Sequence, residues 1–123
     1  MSYDIWLSNE RMNIHTSSQQ IQEGGTQVMA GTNECQLNIT YNYGPLFYEV
    51  FPESSAPDHG LGIRWLYGKT GEESIPVLEK AVERLGTRRN ADYWKATMGN
   101  AGWALNILLG WAREHPDGIW WGD

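Results

Sequence analysis

The chain lacks the features that mark several protein classes. Cys35 is the only cysteine in 123 residues, so no intrachain disulfide can form, whereas small secreted domains ordinarily depend on several. No stretch approaches the roughly 20 consecutive apolar residues that cross a bilayer. Residues 1–7 carry no basic region ahead of an apolar core, so no secretion signal is expected. Positive charge is scarce, with nine Lys and Arg against fifteen Asp and Glu and a net charge of −6. A phosphate backbone would be repelled by that field, which argues against general DNA or RNA binding. The three histidines, His15, His59 and His115, are far apart, and no pair stands at i, i+4, so metal-ligand spacing is missing and neither metal nor cofactor is expected. Asn38-Ile39-Thr40 matches a glycosylation acceptor, a match without meaning in a chain that is not secreted. The expected location is the cytoplasm.

What the chain does contain is an ordinary globular mixture, 41% hydrophobic and 20% charged. Its length suits one domain over residues 1–123, burying roughly 65% of its unfolded surface, enough for one core and one pocket. Residues 3–7 form a short aromatic-aliphatic run, read as a first strand. Turn signals at Gly24-Gly25 and Gly31 bracket a second candidate over 26–30. The clearest strand signal covers 34–43, where Cys35, Leu37, Ile39, Tyr41 and Tyr43 alternate with Gln36, Asn38, Thr40 and Asn42. The polar side of that strand carries no charge. Residues 8–23 read as a loop with a further strand candidate around 12–15.

Helical signals begin after Gly44. Pro45 suits a first helical position, and Leu46, Phe47, Val50 and Phe51 share one face of a short helix ending before Pro52. Residues 63–67 fit a helical turn or a short strand equally. Ile75, Leu78, Val82 and Leu85 make a helical stripe that Gly86 stops, and Pro76 places its start at Ser74. A last helix spans about 97–114, with Ala101, Ala104, Leu105, Leu108, Leu109 and Ala112 on its apolar face. Gly99, Gly102 and Gly110 inside it each cost about 1 kcal/mol relative to Ala, which points to close backbone packing. Trp120-Trp121 near the end of the sequence would be a solubility liability unless folded back or held in an interface. Strands first and helices after predict an α+β fold, a small antiparallel sheet from the N-terminal part packed by two to three C-terminal helices.

Among candidate chemical motifs, Gly68-Lys69-Thr70 invites a phosphate-loop reading. Gly62 stands one place too far back, and the bulky residues 63–67 would prevent the backbone from wrapping a phosphate. A weaker reading remains, in which amides around Lys69 and Thr70 hold one anion at a helix start. The competing structural reading is a helix cap, since Thr70-Gly71-Glu72-Glu73 matches a capping box. Serine or cysteine nucleophiles paired with a His base have no local signature. Glu72-Glu73 reads as a complement to a helix dipole.

Aromatic content is the strongest oddity: seven Trp, six Tyr and two Phe. Rings with a polar handle suit core, interface or a flat stacking ligand. Arg64 stands beside Trp65, Lys95 beside Trp94, Arg113 near Trp111, and Arg88-Arg89 form a basic pair. Rings with a few placed cations in an acidic protein fit a small anionic aromatic ligand such as a nucleotide. On this reading Asn38, Thr40 and Asn42 hydrogen-bond a base or ribose, and Tyr41, Tyr43, Trp65 or Trp94 stack on it. Phosphate would be held by Arg64, Lys69, Thr70, Arg88 or Arg89. Opposite faces of one strand cannot all reach one ligand.

The segments 37–44 (LNITYNYG), 62–71 (GIRWLYGKTG) and 74–79 (SIPVLE), with Asn100-Ala101 and 116–123 (PDGIWWGD), resemble small proteins of unassigned function from phages, prophages and bacteria. The resemblance covers most of the chain and implies no catalytic residues. What it implies is an accessory role, and some phage accessory proteins sequester nucleotide-derived immune signals. The leading expectation is therefore a non-enzymatic protein that sequesters such a ligand in the host cytoplasm. Two alternatives stand beside it. One is a protein-interaction module that inhibits a host or defence protein through Trp120-Trp121 and the acidic surface. The other is a small hydrolase built around His59 or His115. A homodimer is compatible with each.

Overall fold

A computed structural model describes residues 2–8, 26–28, 35–52, 62–92 and 94–122; the strand candidate at 12–15, residues 53–61, His15 and His59 lie outside them. Strand β1 is Ser2–Ser8, β2 Thr26–Val28, β3 Gln36–Thr40 and β4 Ile119–Gly122. Helices α1, α2 and α3 are Gly44–Val50, Gly71–Leu85 and Met98–Glu114, with 3-10 turns at Tyr41–Tyr43 and Gly62–Leu66. The fold is α+β, with one antiparallel sheet of four strands in the order β2-β3-β1-β4 among the described residues.

Period-2 patterning builds the centre of the sheet. Tyr3, Ile5 and Leu7 of β1 point inward beside Leu37 and Ile39 of β3, in the register Tyr3↔Ile39 and Ile5↔Leu37. Side chains of alternate residues leave on opposite faces, so Ser2, Asp4 and Trp6 share the outer face with Gln36, Asn38 and Thr40. The fourth strand comes from the C-terminal region rather than the N-terminal part: β4 lies along β1 as Leu7↔Trp120 and Trp6↔Trp121. Trp120 is thereby fully buried, and its indole N–H donates to Ser74 Oγ at 2.9 Å. Trp121, one residue on, faces outward and is 47% exposed.

The strand expected over 34–43 ends at Thr40. There the chain turns into a 3-10 turn, and Thr40 Oγ1 accepts the Asn42 amide at 3.3 Å. The turn still directs both tyrosines toward apolar neighbours, Tyr41 edge-on to Tyr3 at 4.6 Å and Tyr43 edge-on to Phe47 at 6.2 Å. Hydrophobic spacing of two over these last residues therefore reflects ring burial from a turn, not a continued strand. Helix α1 follows with Pro45 in its first turn and ends at Val50, capped by Phe51 before Pro52. Residues Gly62–Leu66 adopt the helical alternative for the undecided segment, burying Ile63 and Leu66 one 3-10 turn apart.

Helix α2 starts at Gly71, earlier than Ser74. Thr70 and Glu73 form a reciprocal capping box, each backbone N–H meeting the other's side chain at 3.1 Å. Pro76 is therefore inside the helix, on its exposed side. Helix α3 begins after Thr97, whose Oγ1 accepts the Asn100 amide at 3.2 Å. Leu78, Ala81 and Leu85 of α2 and Ala101, Leu105 and Leu108 of α3 join the inner sheet face in one buried cluster. The helices pack closely because α3 is smooth where it meets the end of α2: a Cβ on Gly102 would stand 1.7 Å from the Gly86 carbonyl oxygen. Gly99 lies equally close to the Arg88 carbonyl, while a Cβ on Gly110 would meet nothing within 4 Å. Close packing thus accounts for two of the three glycines.

Candidate functional site

At the end of the sheet where β1 begins and β3 ends, Ser2, Asn38, Thr40, Asn42 and Trp94 line an open cleft of about 390 Å³. The register sets Ser2 opposite Thr40 and Asp4 opposite Asn38, so the uncharged edge of β3 is continued by Ser2 of β1. The 3-10 turn after Thr40 keeps Asn42 on the same cleft. Trp94 arrives from the α2–α3 connection and is 56% exposed.

The lining is anchored from behind. The Asn38 amide donates to Ser2 Oγ at 2.6 Å and to Asp4 Oδ1 at 2.7 Å. Trp94 is held by a scaffold of side-chain turns: the Asp92 amide donates to Asn90 Oδ1 at 2.9 Å and the Trp94 amide to Asp92 Oδ1 at 3.1 Å. Asn100, 2% exposed in the first turn of α3, ties this loop together. Its Oδ1 accepts the Asn90 amide at 2.9 Å, and its Nδ2 donates to the carbonyls of Asp92 at 3.0 Å and Lys95 at 2.8 Å. The side-chain carbonyl and both amide hydrogens are thus engaged.

The cations expected to hold phosphate do not line the cleft. Arg64 lies over the rings of Tyr3 and Tyr41, 4.9 and 5.7 Å from their centroids, and donates to the Tyr41 hydroxyl at 3.3 Å. Lys69 sits 4.8 Å from the Trp65 ring, and Arg89 sits 4.5 Å from Trp103. Arg88 is exposed. Pairs inferred from adjacency in sequence therefore differ from those in space: Arg64 stacks on tyrosines rather than Trp65, and Arg113 meets Glu79 at 3.2 Å. Each ring contact stabilises a surface cation by about 0.5–1 kcal/mol and covers apolar area.

Several other expected ligand residues serve the fold. Tyr43 is buried in the core, and Trp65 is half-buried against Phe51 at 6.3 Å. Thr70 caps α2 and bridges to Ile119. The anion reading around Lys69 and Thr70 is overturned by the hydrogen bonds there. The amides of Gly68, Lys69, Gly71 and Glu72 donate to the carbonyls of Trp120, Leu66, Gly118 and Pro116, and that of Thr70 donates to Glu73. Backbone donors already engaged with the protein form no nest for a phosphate.

Two titratable groups of the core have raised values. Burial pushes the Cys35 thiol up to about 12, which keeps it protonated. Burial raises the Tyr3 hydroxyl as well, with Tyr48 adding to the shift. His115 is half-buried at the C-cap of α3, with Nε2 3.8 Å from Glu114 Oε1. Among the described residues no three His, Cys, Asp or Glu side chains gather as metal ligands, and no helix is long and apolar enough to cross a membrane. Ser2 and Asp4 carry no signal of their own in the sequence, and Asn100 enters it only through the resemblance; strand register brings Ser2 to the cleft and Asp4 against Asn38, and the start of α3 places Asn100 against the segment that carries Trp94. No protein-family model, no curated protein and no solved structure matches the chain.

Proposed function

We propose that the protein is a non-enzymatic binding protein that sequesters a small, flat, nucleotide-derived ligand by its base in the Trp94 cleft. The observation that carries this reading is the convergence of one exposed indole with the uncharged polar groups of Ser2, Asn38, Thr40 and Asn42 around the same opening. A ring stacked on an aromatic side chain gains about 1–3 kcal/mol, and every base has a face to stack. Hydroxyl and amide groups recognise the edges of such a ring without the cost of desolvating a charge. Because Arg64, Lys69 and Arg89 lie on other rings and Arg88 does not line the cleft, phosphate groups of the ligand project away from it. The resemblance to small phage and prophage proteins supports capture of an immune signal in the host cytoplasm as the setting for this binding.

The test is calorimetric titration with nucleosides and nucleotides, run beside mass spectrometry of whatever the native protein releases on denaturation after exposure to infected-cell lysate. Binding that Trp94→Ala weakens by about tenfold or more, with the compound released intact, supports the reading. Absence of nucleoside and nucleotide binding at millimolar concentration, or binding unaffected by Trp94→Ala, overturns it. A second reading, a protein-interaction surface, is supported by Trp121, exposed beside Trp6 across the β1–β4 pair. Trp121→Ser removes a co-purifying partner and spares nucleoside binding if that surface is used.

A further inference from the structure

Resting on the binding role above, we infer that Asp4 locks the Asn38 amide so that the cleft demands an N–H donor from the ring it binds and turns away groups that can only accept. The lock follows from hydrogen-bond polarity. Asn38 stands opposite Asp4 in the strand register, and one of its amide groups lies 2.7 Å from Asp4 Oδ1. An ionised carboxylate has lone pairs and no hydrogen to give. The group beside it must therefore be the Asn38 N–H2, because the amide carbonyl there would set acceptor against acceptor. The other N–H meets Ser2 Oγ at 2.6 Å. With both hydrogens engaged, Asn38 offers the cleft only its carbonyl oxygen.

The hydroxyls around it take the opposite part. Ser2 Oγ accepts from Asn38 and Thr40 Oγ1 accepts from the Asn42 amide, which leaves each O–H to donate. Thr40 is 8% exposed yet lines the cleft, so a ligand group facing it leaves bulk water behind. The sheet wall thus presents one fixed acceptor and two hydroxyl donors. A nucleobase edge, where a ring or exocyclic N–H adjoins a nitrogen or oxygen acceptor, complements that set. A phosphate or carboxylate has no hydrogen for Asn38 Oδ1. The ligand class is therefore the N–H-bearing heterocycle, and Asp4 is a positioning residue that acts through Asn38.

The experiment uses two probe pairs that differ in one N–H group: adenosine against purine riboside, which lacks the amino group, and uridine against 3-methyluridine. The parent of at least one pair binds at least about tenfold more tightly than its partner, the size expected when a polar site group is left unpaired. In Asp4→Asn the side chain at position 4 can donate, so the Asn38 amide can turn its N–H2 to the cleft. That variant narrows the ratio to about threefold or less by strengthening the weaker probe, a rescue that neither a steric clash nor a general loss of structure produces. Asp4→Ser, whose hydroxyl also donates, provides the same test if Asp4→Asn does not fold. Equal affinities within both pairs in the native protein, with binding still dependent on Trp94, overturn this inference and leave the binding role standing. A ratio that Asp4→Asn and Asp4→Ser leave unchanged removes Asp4 from the account. If neither parent nor analogue binds, the binding role itself fails and the inference falls with it.

Discussion

Three glycines in one helix should respond to the same substitution with opposite signs. Replacing Gly by Ala inside a helix removes a penalty of about 1 kcal/mol, and this gain is common to Gly99, Gly102 and Gly110. At Gly110 nothing lies within 4 Å of the added methyl, so Gly110→Ala stabilises by about 0.5–1 kcal/mol and raises Tm by roughly 2–5 °C. At Gly102 the methyl would stand 1.7 Å from the Gly86 carbonyl oxygen and 3.0 Å from Leu85 Cβ. Ordinary contact needs about 3.4 Å or more, so the end of α2 must retreat by over roughly 1.5 Å from a packed core, and such overpacking costs about 1–3 kcal/mol or more. The obstacle is backbone and cannot rotate aside. Gly102→Ala therefore loses about 2 kcal/mol net, a fall in Tm of roughly 5–10 °C. Gly99 also meets backbone, the Arg88 carbonyl at 1.7 Å, but that residue belongs to an exposed connection with more room to shift, which places Gly99→Ala between the other two. Urea and thermal unfolding of the three variants in parallel measure the order. Gly102→Ala at or above native stability, or Gly110→Ala as damaging as Gly102→Ala, would refute the packing argument.

Ser74→Ala strands the buried Trp120 indole N–H, costing about 1–3 kcal/mol in urea unfolding; adding Trp120→Phe, which removes that donor, should cost less in the Ser74→Ala background than in the native one, and equal costs would show no coupling. Asn100→Ala removes three side-chain hydrogen bonds that hold the 90–95 loop, so it weakens nucleoside binding about threefold or more through Trp94 while costing only about 1–2 kcal/mol of stability; unchanged affinity by calorimetry would count against the loop's role. The Cys35 thiol, raised from an ordinary 9.0 to about 12 in the folded chain, ionises in the unfolded chain first. Stability thus holds below pH 9.0 and falls as the pH rises from there toward about 12. A disulfide reagent at pH 8 should label Cys35 only at the rate of opening, and immediate labelling of the native protein would contradict its burial.

Much of the fold is legible in the sequence because it rests on local rules. Alternation at Tyr3, Ile5 and Leu7 and at Leu37 and Ile39 specifies two half-buried strands, and the stripes at Leu78 and Leu85 and at Leu105 and Leu108 specify two packed helices. The errors arise where two local readings compete. Thr40 begins a turn that buries Tyr43 as a strand would, and Thr70 and Ser74 both qualify as caps until the Glu73 side chain closes the box on Thr70. Strand β4 has only four residues and is recognised by its pairing with β1, which no local pattern announces. The polar edge Asn38, Thr40 and Asn42 is visible as a strand side without charge, and Trp94 as one ring among many. Their meeting, like the positions of Ser2, Asp4 and Asn100, depends on register and loop geometry. Cation positions were the least legible, because neighbours in sequence point apart, and Arg64 found Tyr3 and Tyr41 instead of Trp65.

The placement of β4 also bears on how the chain acquires its structure during synthesis. β1 is the first described strand to leave the ribosome and β4 the last, yet they are neighbours in the sheet. Until residues 119–122 arrive, β1 has one edge unpaired, and Leu7 lacks the Trp120 neighbour that lies opposite it. The amide and carbonyl of Trp120 are then taken up by Lys69 and Gly68, so the last strand to arrive closes the gap between β1 and the segment leading into α2. A nascent chain stalled short of this point exposes an apolar, hydrogen-bond-hungry edge of the kind that recruits other strands. The arrival of residues 119–122, more than any earlier step, is what closes this edge of β1.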